Sequence, residues 1–260
     1  MRQKKSYSRI IQGLTYWEHE SYGDKIRLFQ HSVERDMTSF LALGPNRETL
    51  TENSLGTALS ESGLSRDEIQ LLAGMTGVPN SPDDLVEQVE EILDHLKTDY
   101  LDLFFLDLKA PSEVTVPAIE RLISQGKIHE TGIYDDNFTS QPQQIKMEAV
   151  RANLTDWKIT PASMKTLTLK MASSEDLTEM VWIHLMEIDQ FGKKLDEISS
   201  KYELSGRELV LAWFLQHPAH FHPVIKGNTI ALIDSAVKAQ HKKIIEEDWK
   251  NLPKKLEITA

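Results

Sequence analysis

The sequence contains no cysteine among its 260 residues. This absence excludes disulfide bonds, thiolate nucleophiles and cysteine-ligated metal sites. The chain also lacks any apolar run near the roughly 20 residues that a membrane-spanning helix needs. Its first residues, 1–7, are basic and polar, without the apolar stretch of a secretory signal. We therefore expect a cytoplasmic protein that makes no contact with a membrane.

Basic residues are scarce as well. The chain has 29 lysines and arginines against 40 aspartates and glutamates, which gives a formal net charge of −11. A nucleic-acid-binding protein needs a basic face to neutralise phosphates, so we expect no nucleic-acid partner. A small molecule and a protein both remain possible partners. No Gly/Ser linker or low-complexity run divides the chain, and we predict that residues 1–260 form one domain.

What the chain does contain is an alternation of strand-like and helix-like segments. The clearest helix covers residues 81–98, where Ser81 can cap the N-terminus and Pro82 suits the first helical position. Its apolar residues recur at helical spacing. The almost continuously apolar run 100–107 follows directly and is typical of a strand buried on both faces.

Seven further segments have strand character: residues 9–14, 39–43, 69–75, 131–135, 157–160, 180–185 and 223–226. Helical patterns lie around them at residues 25–35, 50–60, 116–125, 143–152, 191–202, 207–217 and 230–239. Eight strands that alternate with helices indicate parallel βαβ units. Periodicity alone leaves two architectures open, a closed barrel and a doubly wound sheet.

Five segments resemble the aldo-keto reductase family. They are the first-strand motif at residues 8–13, the L-x-T-D-Y-I-D-L-like run at 96–103, the G-K-I-containing run at 124–133, the penultimate helix at 209–218 and the last strand at 223–227. Their order and spacing follow the family. The resemblance implies a single aldo-keto-reductase-like (β/α)8 TIM barrel.

The resemblance also implies a chemistry, the reduction of carbonyls by hydride from NADPH. In that family a tyrosine donates the proton, a lysine lowers its pKa, and an aspartate and a histidine complete a tetrad. A tyrosine needs this help because its unperturbed pKa is about 10. Aligned by the family motifs, the aspartate, tyrosine, lysine and histidine positions hold Gly44, Asn46, Gly74 and Asp107, respectively. We predict that none of the tetrad is intact.

The cofactor positions have changed too. The resemblance assigns cofactor contacts to the turn formed by Lys226, Gly227, Asn228 and Thr229. Five carboxylates are expected near the dinucleotide and would repel its negative charges; they are Asp135, Asp136, Asp156, Glu187 and Asp234. We therefore expect no cofactor, with NADP(H) as the alternative that the family implies.

Three functions follow from these observations. The first is a catalytically inactive or repurposed barrel, a pseudoenzyme that binds a ligand or a protein. The second is an NADP-dependent oxidoreductase that reduces a carbonyl with residues foreign to the family. The third is a metal-dependent or acid–base enzyme at the carboxyl-terminal barrel face, where barrel enzymes do their chemistry. Its candidate residues are Asp107, His184, Glu187 and Asp135. They can equally be solvated charges at the rim, so we predict no metal site.

Aromatic and histidine clusters receive plainer interpretations. Tyr16, Trp17 and Tyr22 follow the first strand, and we expect their loop to pack on the last helix of the barrel. His217, His220 and His222 cluster at the entry to the last strand, at the bottom of the barrel. We expect them to stabilise the fold, with His217 favoured by the dipole at the end of its helix.

Overall fold

A parallel barrel closes on itself in the computed structural model, which describes residues 7–42, 53–75, 77–107, 110–134, 149–153, 178–182, 192–217 and 222–255. Its eight strands are β1 Ile11–Gly13, β2 Ser39–Leu41, β3 Gln70–Gly74, β4 Leu101–Asp107, β5 Ile128–Tyr134, β6 Ala149–Asn153, β7 Thr178–Trp182 and β8 His222–Ile225. They pair in sequence order, and β8 returns to β1. The predicted (β/α)8 barrel is confirmed.

Eight α-helices lie among the described residues. They are α1 Tyr22–Glu34, α2 Asn53–Glu61, α3 Pro82–Leu96, α4 Ser112–Ser124, α5 Gly192–Lys201, α6 Gly206–Leu215, α7 Ile230–His241 and α8 Glu246–Lys255. The Ser81 side chain caps α3 by accepting a hydrogen bond from the Asp84 backbone N–H at 3.1 Å, as the sequence predicts. None of the described helices combines the length and the apolar character needed to cross a bilayer.

The sixth strand differs from its prediction. It covers Ala149–Asn153, the region where the sequence predicts the end of a helix over residues 143–152. The segment Ala-Val-Arg-Ala mixes good helix formers with a β-branched valine, and periodicity cannot assign so short a run. Its parallel pairing with β5 and β7 decides the conformation. The strand predicted at 157–160 lies outside the described residues, and α8 was not predicted.

The strands separate two apolar cores. Alternate residues point to opposite faces of a strand. Those that face the barrel axis form an inner cluster: Tyr7, Ile11, Leu41, Leu72, Leu103, Phe105 and Val224. Their neighbours in sequence, such as Phe40, Leu71 and Phe104, pack against the helices in a larger outer cluster. The barrel interior is therefore filled with side chains and is not a pore.

The family-like run at residues 96–103 has a structural role at the bottom of the barrel. The Arg66 guanidinium donates to Thr98 Oγ1 at 2.8 Å, to the Tyr100 carbonyl at 2.7 Å and to Asp102 Oδ2 at 2.8 Å. It also lies 3.7 Å from the centre of the Tyr100 ring. Asp102 in turn accepts the Leu71 backbone N–H at 2.8 Å. This motif joins β3 to β4 far from the mouth, so its presence carries no catalytic implication.

The last helix is attached by two stacked indoles. The Trp213 and Trp249 rings lie 5.0 Å apart and nearly parallel. Each indole N–H donates to the other residue's backbone carbonyl, at 2.9 and 3.0 Å. His217 is 3% exposed beside both rings, and burial lowers the pKa of its imidazole to about 4. The expected dipole contribution is wrong, because it needs a charged imidazole at neutral pH.

Candidate functional site

The parallel strands all end at the carboxyl-terminal opening of the barrel, which we call the mouth, and three of them bear on the candidate site. Leu41 ends β2, Gly74 ends β3 and Asp107 ends β4. Leu41 belongs to the inner cluster, and Gly74 is the register partner of Phe105, another member. Asp107 lies two residues beyond Phe105 on the same strand, so it shares that face. The three residues therefore line one side of the mouth.

Gly74 occupies the position at which the resemblance implies a lysine. Strand β3 reads Gln-Leu-Leu-Ala-Gly, and no basic residue belongs to it. Gly74 follows Leu72 on the face that looks toward the barrel axis. Gly74 therefore brings no amine into the mouth.

Leu41 is a position that the sequence reasoning missed. The family motif F-D-x-A-D-x-Y has two acidic positions, and with Phe40 at its start the first falls on Leu41. The structure buries Leu41 completely in the inner cluster, so an apolar side chain stands there. The alternation within β2 could have revealed this inward position. Gly44 and Asn46 lie outside the described residues.

Asp107 is the one carboxylate that the described strand ends bring to the mouth. Only 5% of the residue is exposed. Its backbone N–H donates to Met75 Sδ at 3.5 Å, and its carbonyl accepts the Ala110 N–H at 3.0 Å. In the ladder between β4 and β5, Asp107 is paired with Tyr134. Asp107 is therefore a nearly buried carboxylate on the face of β4 that looks toward the barrel axis.

The other three members of the proposed metal or acid–base site are His184, Glu187 and Asp135, and all three lie outside the described residues. Within the described ranges no three acidic or histidine side chains are grouped to hold a metal ion. Asp107 is therefore the part of that proposed site which has a known position.

The turn between β8 and α7, residues 226–229, lies across the barrel from Asp107. The Lys226 ammonium lies 4.8 Å from the centre of the Tyr16 ring, a cation–π contact. The Thr229 side chain caps α7 by accepting the Leu232 backbone N–H at 3.2 Å. A lysine beside the N-terminus of a 12-residue helix creates a positive potential.

The loop that follows β1 covers this turn. The buried Trp17 indole N–H donates to the Gly227 carbonyl at 3.0 Å. The Asn228 side-chain N–H donates to Glu20 Oε1 at 2.9 Å. The Trp17 ring also makes edge contacts with Phe29 and Phe40, at 4.9 and 6.1 Å. The aromatic loop therefore packs on α1 and β2, and its contact with the last barrel helix is through the turn that precedes α7.

Gly227 is constrained by packing behind the turn. A Cβ built on Gly227 would lie 2.3 Å from Gln12 Oε1 and 2.6 Å from Gln12 Nε2. Gln12 is fully buried and donates to Ser32 Oγ at 3.1 Å, so its amide has little freedom to move away. A glycine is needed here for the close approach of Gln12.

Asp234 does not act as the sequence suggests. Its Oδ1 accepts hydrogen bonds from the ring of His31 at 2.8 Å and from Arg35 Nε at 3.1 Å. These contacts to α1 lower the pKa of the Asp234 carboxyl. The carboxylate is paired with a cation on the neighbouring helix, so its charge offers little repulsion to a ligand at the turn. The remaining four expected carboxylates lie outside the described residues.

Comparisons with known proteins agree on one family. The model of the aldo/keto reductase family matches residues 46–182, slightly more than half of the chain. An uncharacterized oxidoreductase, YcsN of Bacillus subtilis strain 168, is 22% identical over 280 residues, which cover 94% of this chain and 92% of the relative. Methylglyoxal reductase DkgB of Escherichia coli O157:H7 is 25% identical over 213 residues, 76% of each protein.

Solved structures give the same fold. The thermostable aldo-keto reductase Tm1743, solved with the inhibitor epalrestat, superimposes with a TM-score of 0.79 at 19% identity, covering 98% of this chain and 97% of that one. An aldo/keto reductase from Klebsiella pneumoniae, solved with NADP and acetate, gives 0.73 at 17% identity over 94% and 89% of the chains. At these identities the likeness establishes the barrel and leaves the activity open.

Proposed function

The chain belongs to the aldo/keto reductase family, and we propose that it is a repurposed member that binds a ligand at the mouth without the family's tyrosine-dependent reduction of carbonyls. One observation carries this proposal. The strand ends that should supply the lysine and the histidine of the tetrad supply Gly74 and Asp107, and Leu41 stands at the first acidic position of the β2 motif. The family therefore persists in the barrel, while the mouth has different chemistry.

The missing lysine matters most for the reaction. A tyrosine with a pKa of about 10 transfers its proton slowly at neutral pH unless a nearby cation stabilises the phenolate. Gly74 offers no cation at that position. Asp107 adds a negative charge at the histidine position, and a carboxylate beside a phenol opposes ionisation of the phenol.

The mouth is suited to a small ligand with an apolar body and a polar or cationic group. Leu41 and Phe105 form an apolar floor beneath the mouth, buried in the inner cluster, and Asp107 ends the neighbouring face of β4 as a nearly buried carboxylate. Binding sites of this kind, apolar walls with few fixed polar groups, are typical of small-molecule pockets. The described residues thus favour a ligand-binding role at the family's usual location.

The family also implies NADP(H), and the expectation that no cofactor binds lacks support from the comparisons, because solved relatives hold this nucleotide. The described turn fits such a group in part. Lys226 and the capped N-terminus of α7 suit a phosphate. Glu20 does not, because its carboxylate is hydrogen-bonded to the same turn. We propose that NADP(H) binds weakly at most.

A second function, reduction of a carbonyl by non-family residues, is favoured by the contact between Tyr16 and Lys226. It brings a phenol and an amine together at the mouth, in the segments that follow β1 and β8. Four of the six tyrosines are excluded as donors there. Tyr7 and Tyr100 lie at the bottom of the barrel. Tyr22 begins α1 and is hydrogen-bonded to Glu61. Tyr202 follows α5 and donates to Asp248.

The two functions are separated by following NADPH consumption with methylglyoxal as the probe substrate. For a repurposed barrel we expect no consumption above that of the protein-free solution. Consumption that is lost in Tyr16→Phe and kept in Tyr22→Phe would overturn the first proposal and establish the second. Ligand binding is tested in parallel by thermal stabilisation with a panel of small carbonyl compounds and amines. Stabilisation that Asp107→Asn abolishes supports the mouth as the binding site, and stabilisation unchanged by that variant argues against it.

A further inference from the structure

The loop after β1 brings an acidic side chain to the turn that holds Lys226 and the N-terminus of α7. Glu20 Oε1 accepts a hydrogen bond from the Asn228 side chain at 2.9 Å, immediately before the Thr229 cap of α7. Lys226 begins this turn and contributes a positive charge, and the N-terminus of α7 adds a partial positive charge. An anionic group of a ligand would be attracted to this turn, and the Glu20 carboxylate already lies there.

Two further contacts hold the loop on the turn. Trp17 donates to the Gly227 carbonyl at 3.0 Å, and the Tyr16 ring lies against the Lys226 ammonium. Three consecutive residues of the turn are thus each engaged by the loop. Trp17 is fully buried among Phe29 and Phe40, which anchors the loop to the body of the barrel.

We propose that Glu20 is a built-in anion that competes with phosphate-bearing ligands at residues 226–229, so that this barrel selects against dinucleotides. A phosphate at the turn must either displace Glu20 or lie close to it. Two unit charges of like sign 4 Å apart repel by about 1 kcal/mol in water and by more near a protein surface. Glu20 is partly buried, so solvent screens the repulsion incompletely. This selection concerns binding alone and holds whether or not the barrel catalyses a reaction.

The substitution Glu20→Gln tests the charge while keeping the hydrogen bond. The glutamine carbonyl can still accept from Asn228, so the loop is expected to stay in place and the variant to fold. NADPH and inorganic pyrophosphate serve as probes, with dissociation constants measured by calorimetry. We expect Glu20→Gln to bind both about tenfold more tightly than the wild type, a ratio equivalent to about 1.4 kcal/mol. Glu20→Ala, which also releases the loop, should bind at least as tightly as Glu20→Gln.

Glu18→Gln is the matched control, because Glu18 belongs to the same loop and contacts Lys25 through its backbone carbonyl at 3.0 Å. It removes one negative charge without touching the turn, and its affinity for both probes should match that of the wild type. Equal tightening in Glu18→Gln and Glu20→Gln would overturn the proposal, because the effect would then be one of net charge. Unchanged or undetectable binding in both Glu20 variants would overturn it as well.

Intrinsic fluorescence gives a readout that does not depend on affinity. Because the Trp17 indole bonds to Gly227, a ligand that displaces the loop should change its emission. We expect pyrophosphate to change the emission of the wild type, and the change to vanish in Trp17→Phe. An emission change of the same size in Trp17→Phe would show that the loop stays on the turn and would contradict the proposal.

Discussion

The buried imidazole of His217 makes the stability of the barrel depend on pH in a defined window. Burial lowers the folded-state pKa to about 4 from the ordinary value of 6.5. Between these two pH values the unfolded chain binds the proton and the folded chain does not. The free energy of unfolding is therefore unaffected by His217 above about pH 6.5 and falls as the pH decreases toward 4. Below that pH, His217 causes no further decrease.

The magnitude follows from the two pKa values. Their difference corresponds to about 3 kcal/mol, since one pKa unit is about 1.4 kcal/mol. The residue is 3% exposed and touches both indoles of the Trp213–Trp249 stack, so solvent screening reduces the figure little. A loss of this size is a large part of the stability of a typical domain. We expect it to appear first as detachment of α8 from α6.

Urea unfolding at a series of pH values from neutral to about 4 measures the effect. His217→Phe keeps an aromatic ring beside the two stacked indoles and removes the titrating group, so its stability should depend less steeply on pH than that of the wild type. His241→Gln, a change at an exposed histidine of α7, is the control and should retain the wild-type slope. The reasoning is refuted if His217→Phe and the wild type lose stability in parallel over this window.

Two further substitutions test the packing. Gly56→Ala should destabilise the fold by about 1–3 kcal/mol, because its Cβ would lie 2.2 Å from the His95 carbonyl oxygen. Gly23→Ala has open space around its Cβ and should be neutral or slightly stabilising. Thermal unfolding compares the two variants, and equal effects on stability would contradict the geometry. Arg66→Lys should lower the free energy of unfolding by about 2–4 kcal/mol, because an ammonium cannot reproduce the guanidinium's several hydrogen bonds. Arg27→Lys, at an exposed site, should leave the free energy of unfolding almost unchanged. A stable Arg66→Lys protein would show that the network at the bottom of the barrel is dispensable.

Most strands and helices could be predicted from the sequence because their signals are local, whereas the choice of a closed barrel came from the resemblance to the family. The cap at Ser81 and the apolar run of β4 each specify an element without reference to the rest of the chain. Strand β6 could not be predicted in this way, since Ala149–Asn153 has no strong local preference and becomes a strand only by pairing with β5 and β7. Local composition favoured a helix there, and tertiary pairing overrode it.

The residue types at the candidate site can be read from the sequence, whereas their contacts cannot. The absence of a lysine at Gly74 can be read from aligned motifs. The loop contacts could not, because Glu20 and Asn228 are 208 residues apart and meet only when β8 closes on β1. Asp234 shows the opposite error: its charge suggests repulsion of a dinucleotide, but the fold pairs it with Arg35. The sign of a charge is visible in a sequence, while its partner is set by the fold.

The central claim, that the mouth no longer reduces carbonyls, is tested most directly by isotope transfer. NADPH deuterated at the transferable position of its nicotinamide is incubated with methylglyoxal and a stoichiometric amount of the protein, and mass spectrometry looks for deuterium in the alcohol product. The nucleotide concentration is set above its measured dissociation constant, so that weak binding does not limit the result. We predict no deuterated product beyond that of a protein-free control. Deuterated product formed by the wild type and lost in Tyr16→Phe or Asp107→Asn would contradict the account and identify this barrel as a working reductase.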